Sequence, residues 1–289
     1  MDENSPPQYA AYPRATDPRQ YNGPPDFRIN AINEAWLIYK SDFGTWLGGY
    51  VIIILMSILL QVPAGTYVFW RMSTSGEAAA TGTDVLVVSL VAGIISSAVS
   101  GVLHGGYLRL AIQKMRLRHE GIGGLFNLNG QGAKIAIWSV LYSLPILVIS
   151  QVYSNFSSQQ TNSANPDLGT LFGSMLLFFG AMVIVALLIF PFFLTPMLLV
   201  DQKMSIMQAA SRSWQQVAKM YFRALGFYIV MAIIGASGVL ACGIGVIFTL
   251  PLYQLAIAVA YRDNFMPPLS ESQTAYSPEG AQPPGSFMG

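Results

Sequence analysis

The chain has 289 residues, of which 53% are hydrophobic and only 10% are charged, and its mean hydropathy is +0.48. A soluble protein carries about a quarter charged residues, so this composition predicts an integral membrane protein. The net charge of +1, without a concentrated basic patch, argues against a nucleic-acid partner. A single cysteine, Cys242, permits no intramolecular disulfide and no cysteine cage for a metal.

Both ends of the chain differ from its middle. Segments 1–26 and 266–289 are rich in Pro, Gly, Ser, Gln and Tyr and have no apolar periodicity. Because such segments cannot bury enough surface to offset their chain entropy, we predict two disordered tails around a membrane domain at 27–265. The first tail lacks the basic region and the short apolar core of a cleavable signal peptide.

Uncharged stretches of about 20 residues, the length with which an α-helix crosses a bilayer, dominate the middle of the chain. We therefore predict an all-α, polytopic membrane helix bundle with about six transmembrane helices. The predicted spans are 44–69, 85–108, 135–153, 170–191, 222–240 and 246–261. Pro191 and Pro196 are predicted to kink or end the fourth helix. The last two spans share one uncharged segment, which we divide at the glycines of residues 241–245.

The distribution of basic residues predicts the orientation of the bundle. Of the fifteen Lys and Arg, all but Arg71 fall on the side of the two tails under the six-span model. Cytoplasmic loops carry an excess of Lys and Arg, so both termini are predicted to be cytoplasmic.

Two cytoplasmic segments that precede predicted spans are amphipathic at helical spacing. The apolar positions are Ile29, Ile32, Trp36, Tyr39 and Phe43 in one segment, and Ile206, Ala210, Trp214, Val217 and Tyr221 in the other. Ser205 is the predicted N-cap of the second helix. Since Trp and Tyr favour the membrane–water boundary, Trp36, Tyr39, Trp214 and Tyr221 are the predicted interfacial residues. Ordinary packing beneath the bundle is compatible with the same pattern.

The two amphipathic segments also resemble each other at one constant offset. Ala31, Trp36 and Tyr50 align with Ala209, Trp214 and Tyr228. The match predicts a parallel repeat of an amphipathic helix followed by a helical hairpin, although chance similarity between aromatic-rich membrane boundaries remains an alternative. Segment 121–134 fits a degenerate third copy before the middle hairpin.

The second span has a small residue at every fourth position: Gly93, Ser97, Gly101 and Gly105. Small residues at this spacing let a second helix backbone approach closely. We predict a packing face within the bundle; a seam between two copies of the chain is the alternative.

No group of residues predicts catalysis, a metal or a cofactor. Apart from Arg223 at the start of the fifth, the predicted spans contain no Asp, Glu, Lys or Arg, and His104 lies near the cytoplasmic boundary, where a structural role is expected. Gly235 to Gly238 resembles the nucleophile motif of rhomboid proteases. However, Ser237 has no histidine at its depth to act as a base, so helix packing explains the motif.

Residues 197–228, which include LLVDQKMSIMQAASRSW, and residues 241–265 resemble bacterial six-helix inner-membrane proteins of the YciC-like kind. They are also similar to the membrane domain of some glycerophosphodiester phosphodiesterases. The resemblance covers roughly 28–265 and implies a multi-pass protein of the bacterial inner membrane. Its motifs are not catalytic, so it carries over no functional residue.

Together these features predict a non-enzymatic protein that organises or assists membrane components. Its predicted partners are the lipid bilayer and either another membrane protein or further copies of the chain. A transporter or pore for a neutral or lipid-like solute is the alternative, favoured by proline-broken helices and by Ser and Gln within the spans.

Overall fold

A computed structural model describes residues 26–75, 83–116, 121–128, 130–161, 168–240 and 245–266. Within these residues the chain is helical and contains no strand, which confirms the predicted all-α class. The predicted tails, apart from Asp26 and Met266, and most of the predicted reversal at 241–245 lie outside the described residues.

Nine α-helices follow one another in the described residues. They are α1 (Asn30–Ser41), α2 (Phe43–Ser75), α3 (Thr83–Met115), α4 (Gly132–Thr161), α5 (Leu168–Ile189), α6 (Thr195–Gln202), α7 (Ile206–Lys219), α8 (Tyr221–Leu240) and α9 (Val246–Phe265). Two short 3₁₀ turns, Ile122–Phe126 and Phe190–Phe192, precede α4 and α6.

Five stretches of the described residues are long and apolar enough to cross a membrane. They are Phe43–Arg71, Asp84–Met115, Gly132–Ser154, Phe172–Gln202 and Tyr221–Gly238. Each of these stretches overlaps one of the first five predicted spans, and the second and fourth extend further along the chain than predicted. The predicted sixth span, 246–261, is helical within α9, but α9 is not among the five. Pro251 and Gln254 lower its apolar character, and the sixth crossing stays a prediction.

The fourth apolar stretch is broken where its prolines predicted. Helix α5 ends at Ile189, a 3₁₀ turn contains Pro191, and α6 restarts with Pro196 in its first turn. Proline lacks a backbone donor but is well accommodated at the start of a helix, so the two prolines end one helix and begin the next. The left-handed conformation of Lys203, with φ of 53°, then terminates α6.

The helices form a ring of three units. Helix α2 packs on α3, α4 on both α3 and α5, and α8 on α9. Each segment that leads into a hairpin lies on the second helix of another hairpin: the turn Ile122–Phe126 on α3, α7 on α6, and α1 on α9. The contact of α1 with α9 closes the ring. We call α1, α7 and the turn Ile122–Phe126 the basal layer.

The best-buried part of the molecule lies just above the basal layer, where α3, α6 and α9 meet. Asp201, whose side chain is 4% exposed, forms an ion pair with Arg116, in which the carboxylate oxygen and the guanidinium nitrogen are 2.8 Å apart. The Tyr261 hydroxyl donates to the same carboxylate at 2.9 Å. Because these groups come from the ends of three segments, a single buried carboxylate ties the three units together.

The predicted repeat has a matching backbone. The break between α1 and α2 falls at Asp42 (φ −147°, ψ 48°), and the break between α7 and α8 falls at the aligned Met220 (φ −130°, ψ 36°). Buried residues also align in pairs: Ala31 with Ala209, Ala35 with Ser213, Tyr39 with Val217, Trp46 with Ala224, and Ile53 with Met231. Both copies thus present the same face to their neighbours.

The predicted third copy, 121–134, does not form an amphipathic α-helix. It contains the 3₁₀ turn Ile122–Phe126 and reaches α4 through Gly130, whose φ is 78°. Glycine is a poor helix former, and several glycines in this short segment explain the shorter turn. The turn approaches α3 so closely that a Cβ on Gly106 would lie 1.7 Å from the Leu125 carbonyl oxygen.

Candidate functional site

Helix α1 buries a face of small residues. Ala31 and Ala35 are fully buried, and Tyr39 is buried beside them. Ile29 is exposed and Trp36 is 45% exposed on the opposite side. The predicted stripe, which joined Ile29 and Trp36 to Tyr39, is therefore rotated relative to the face that packs. Alanine occupies this buried face because its small side chain lets α1 approach α9 closely.

Helix α7 repeats this arrangement. Ala209, Ser213 and Val217 are fully buried, whereas Trp214 is 48% exposed. Ser205 caps the helix as predicted, because its hydroxyl accepts from the Gln208 amide and the Gln208 side chain accepts from the Ser205 amide. Trp36 and Trp214 occupy aligned positions and both face outward.

The four predicted interfacial residues separate into two pairs. The Lys40 ammonium lies over the Trp36 ring, 5.4 Å from the ring centroid. Trp214 packs on Phe192, with 5.5 Å between the two ring centroids. Tyr39 is buried, and Tyr221 is half-buried against Phe190. The Tyr39 ring does not face outward as the two tryptophans do, because it fills the α1–α2 corner against Phe43, 5.1 Å away between ring centroids.

A cluster of charged groups fixes α1 to α9. Glu34 forms an ion pair with the Arg262 guanidinium at 2.5 Å, and Asp263 forms one with the Arg28 guanidinium at 2.5 Å. Arg28 also approaches Glu34 at 3.5 Å. Burial lowers the pKa of Arg262, but the Asp263 and Glu34 carboxylates outweigh it and raise that pKa overall. Arg262 therefore stays charged between two well-covered carboxylates.

Other ion pairs flank the cluster and mark the far end of the bundle. Lys114 contacts Asp42 at the α1–α2 break, at 3.2 Å. At the opposite end of α2, Arg71 pairs with Asp84 at 2.8 Å. Sequence reasoning did not pair any of these charges, because the partners are far apart in the chain and no local spacing links them.

The small-residue stripe of α3 lies against α4. A Cβ on Gly93 would be 3.1 Å from Leu147, one on Gly101 would be 2.2 Å from Ser139, and one on Gly105 would be 2.9 Å from Ile135. At the remaining position, the Ser143 hydroxyl donates to the Ser97 hydroxyl at 2.9 Å. The four contacts advance one turn at a time along both helices, so the stripe serves packing inside one chain.

The groups that invited a catalytic interpretation have structural partners. His104 contacts the Ser100 carbonyl through Nδ1 at 2.8 Å, and the exposed Ser237 donates to the Ile234 carbonyl at 2.7 Å. Gly238 lets α9 approach, since a Cβ there would lie 2.4 Å from Thr249 Oγ1. In the described residues, no three His, Cys, Asp or Glu side chains come together as a metal site.

These features define the class of the protein: an all-α integral membrane bundle with apolar helices above a polar, partly aromatic basal layer. No protein-family model, curated protein or solved structure matches the chain.

Proposed function

We propose that this chain is a non-enzymatic accessory protein of a bacterial inner membrane, which uses its basal layer to organise neighbouring lipid. Both termini are cytoplasmic in this proposal, as the bias of Lys and Arg favours. The observation that carries the proposal is the duplicated exposure of Trp36 and Trp214.

Exposed aromatic and basic groups occur together on both helices. Lys40 lies over the Trp36 ring on α1, and on α7 Trp214 lies in sequence between Arg212 and Lys219, all three of which are exposed. Neither helix is long or apolar enough to cross a membrane. Helices with this composition lie in the headgroup region, where Trp rings sit at the boundary and basic groups attract anionic lipid. We therefore assign lipid headgroups as the main occupant of this surface.

Fluorescence quenching tests this assignment. Three full-length variants would each retain one tryptophan, Trp36, Trp214 or Trp46, with the others changed to Phe. In vesicles of phosphatidylcholine brominated near the headgroup, we expect strong quenching of Trp36 and Trp214. Trp46, which is 1% exposed, serves as the buried control. Equal, weak quenching of all three would contradict lipid contact, and a crosslinked second copy or protein at Trp36 would assign the surface to that partner instead.

The orientation has a separate test in whole cells. In a Cys242→Ser background, a cysteine introduced at Thr74 should react with an impermeant maleimide added outside, and one introduced at Lys203 should not. Thr74 lies in the last turn of α2, and Lys203 directly follows α6. The two positions therefore lie at opposite ends of the bundle. The reverse pattern of labelling would overturn the proposed threading.

The transporter alternative is separated by a flux assay in proteoliposomes. Uptake of a defined neutral solute that is lost in Pro191→Ala or Pro251→Ala would defeat the accessory function. No flux in the wild type, with intact quenching of Trp36 and Trp214, would support it.

A further inference from the structure

A cavity of about 380 Å³ lies within the bundle, above the basal layer. Helices α3, α4, α6, α8 and α9 and the turn Phe190–Phe192 contribute its walls. Its volume falls in the range of about 300–1,000 Å³ that is typical of small-molecule sites. None of the proposed headgroup contacts involves this cavity.

The polar part of the lining contains no Asp, Glu, Lys or Arg among the described residues that form it. The Tyr228 hydroxyl of α8 interacts with those of Tyr142 on α4 and Tyr253 on α9. Gln254 lies beside them, and its amide has no hydrogen-bond partner in the described part of the chain. His104, whose Nδ1 contacts the Ser100 carbonyl, is also part of the lining.

The apolar part of the lining consists of large side chains. It includes Trp138, Phe192, Phe193, Met197 and Ile257. A polar group held against such walls loses water, so each unpaired donor or acceptor there costs about 1–3 kcal/mol unless a ligand satisfies it. The site thus combines hydrogen-bonding groups without net charge and an apolar enclosure.

The cavity lies beside the break between α5 and α6, whose residues Phe192, Phe193 and Pro196 are part of its lining. At the α3–α4 junction, small residues bring the two helices into close contact. At the corresponding junction between the middle and last hairpins, Pro191 ends α5, which packs mainly on α4 and on the turn that follows it. The residues that follow this break therefore form part of the cavity wall, and no described residue of α5 lines it.

We propose that this cavity binds an uncharged amphiphile whose head carries hydroxyl or carbonyl oxygens, of the monoacylglycerol type. Its head oxygens hydrogen-bond to Gln254 and to the tyrosine hydroxyls, and its apolar chain lies against the large apolar side chains of the lining. Phosphate or carboxylate heads are disfavoured, because a buried charge without a charged partner pays a large desolvation cost. The proposal is independent of the headgroup contacts of the basal layer.

Photolabelling of the full chain in phosphatidylcholine nanodiscs tests the proposal. The probe is 1-oleoylglycerol with a diazirine in its acyl chain, and labelled peptides are identified by mass spectrometry. We expect labelling of the residues that line the cavity, with competition by unlabelled monooleoylglycerol. Oleate, which shares the chain but has an anionic head, should compete at least about tenfold less well.

Matched variants test the role of the polar lining. Gln254→Leu should reduce specific labelling about tenfold, the factor that corresponds to one lost hydrogen bond of the stronger kind. Gln215→Leu makes the same chemical change on the exposed side of α7 and should label as the wild type does. Tyr253→Phe provides a second, smaller change, and circular dichroism verifies that every variant keeps its helices.

Three results would overturn the proposal: uniform labelling around the bundle, undiminished labelling of Gln254→Leu and Tyr253→Phe, or equal competition by oleate. Each leaves the quenching of Trp36 and Trp214 unaffected, so failure at the cavity and failure of the proposed function remain distinguishable.

Discussion

The α1–α2 and α7–α8 segments share a backbone design but differ in how they are anchored. Both begin with a short helix, break at aligned residues Asp42 and Met220, and bury small residues on one face. Helix α1 is held on α9 by charged groups, whereas α7 is held on the Phe190–Phe192 turn by a hydrogen bond and by aromatic packing.

Aligned positions show how the anchors diverged. Glu34 of α1 pairs with Arg262 of α9, and the aligned Arg212 of α7 donates to Gln202 of α6 at 2.5 Å. The same position thus contacts the second helix of the neighbouring hairpin in both copies, with opposite charge. Small residues and the break fix the geometry, while the polar groups adapt to what each neighbouring helix offers.

The largest predicted difference between the copies concerns the loss of an arginine. Arg262→Met leaves Glu34 and Asp263, both largely buried, with Arg28 as their remaining cation, and should destabilise the protein by about 3 kcal/mol. Arg212→Met removes an exposed arginine and should change stability by no more than about 0.5 kcal/mol. Unfolding in detergent, followed by far-ultraviolet circular dichroism, measures both changes.

A double variant sharpens this result. Glu34→Gln combined with Arg262→Met removes one uncompensated carboxylate and should recover part of the lost stability. If the Arg212→Met variant of α7 and the Arg262→Met variant of α9 were equally destabilised, the distinction between an ionic and a non-ionic anchor would be wrong.

A smaller effect is expected at the aligned pair Ala35 and Ser213. The Ser213 hydroxyl donates to the Pro191 carbonyl at 2.7 Å in a fully buried position. That carbonyl is available because α5 breaks there, and no break occurs where α1 meets α9. Ser213→Ala should therefore cost about 1–2 kcal/mol, since a buried acceptor loses its donor.

The reciprocal change provides the control. Ala35→Ser places a hydroxyl in the tight contact of α1 with α9, where it gains no comparable acceptor. It should destabilise the protein as well. An unchanged stability of Ser213→Ala, measured by the same unfolding experiment, would show that Pro191 does not need this donor.

Patterns within one stretch of chain predicted the all-α class, the first five apolar stretches, the break at Pro191 and the Ser205 cap. Each depends on residues that are neighbours in sequence, where periodicity, proline and capping chemistry act directly. The small-residue stripe of α3 also predicts a packing face at Gly93, Ser97, Gly101 and Gly105. The pattern does not predict that α4 is the helix that they contact.

Features that depend on distant segments could not be predicted. The pairing of Glu34 with Arg262 joins residues near opposite ends of the membrane domain. The rotation of α1 was missed because large apolar residues dominated the predicted stripe, whereas close packing selected Ala31 and Ala35 for the buried face. The cavity was missed because it results from the packing of several helices around a break, which no single helix encodes.

The smallest predicted effect separates the copies at their first turns. Helix α7 has a reciprocal cap from Ser205 and Gln208, whereas the N-cap residue that precedes α1, Ile29, makes no side-chain cap. Ser205→Ala should cost about 1 kcal/mol and speed hydrogen exchange in the first turn of α7. Ser211→Ala, on the exposed side of the same helix, should change the free energy of unfolding by no more than about 0.5 kcal/mol. It should also leave hydrogen exchange in the first turn of α7 as it is in the wild type. Because the first turn of α1 has no cap to lose, its exchange should be the same in both variants; faster exchange there would mean that the two copies open together.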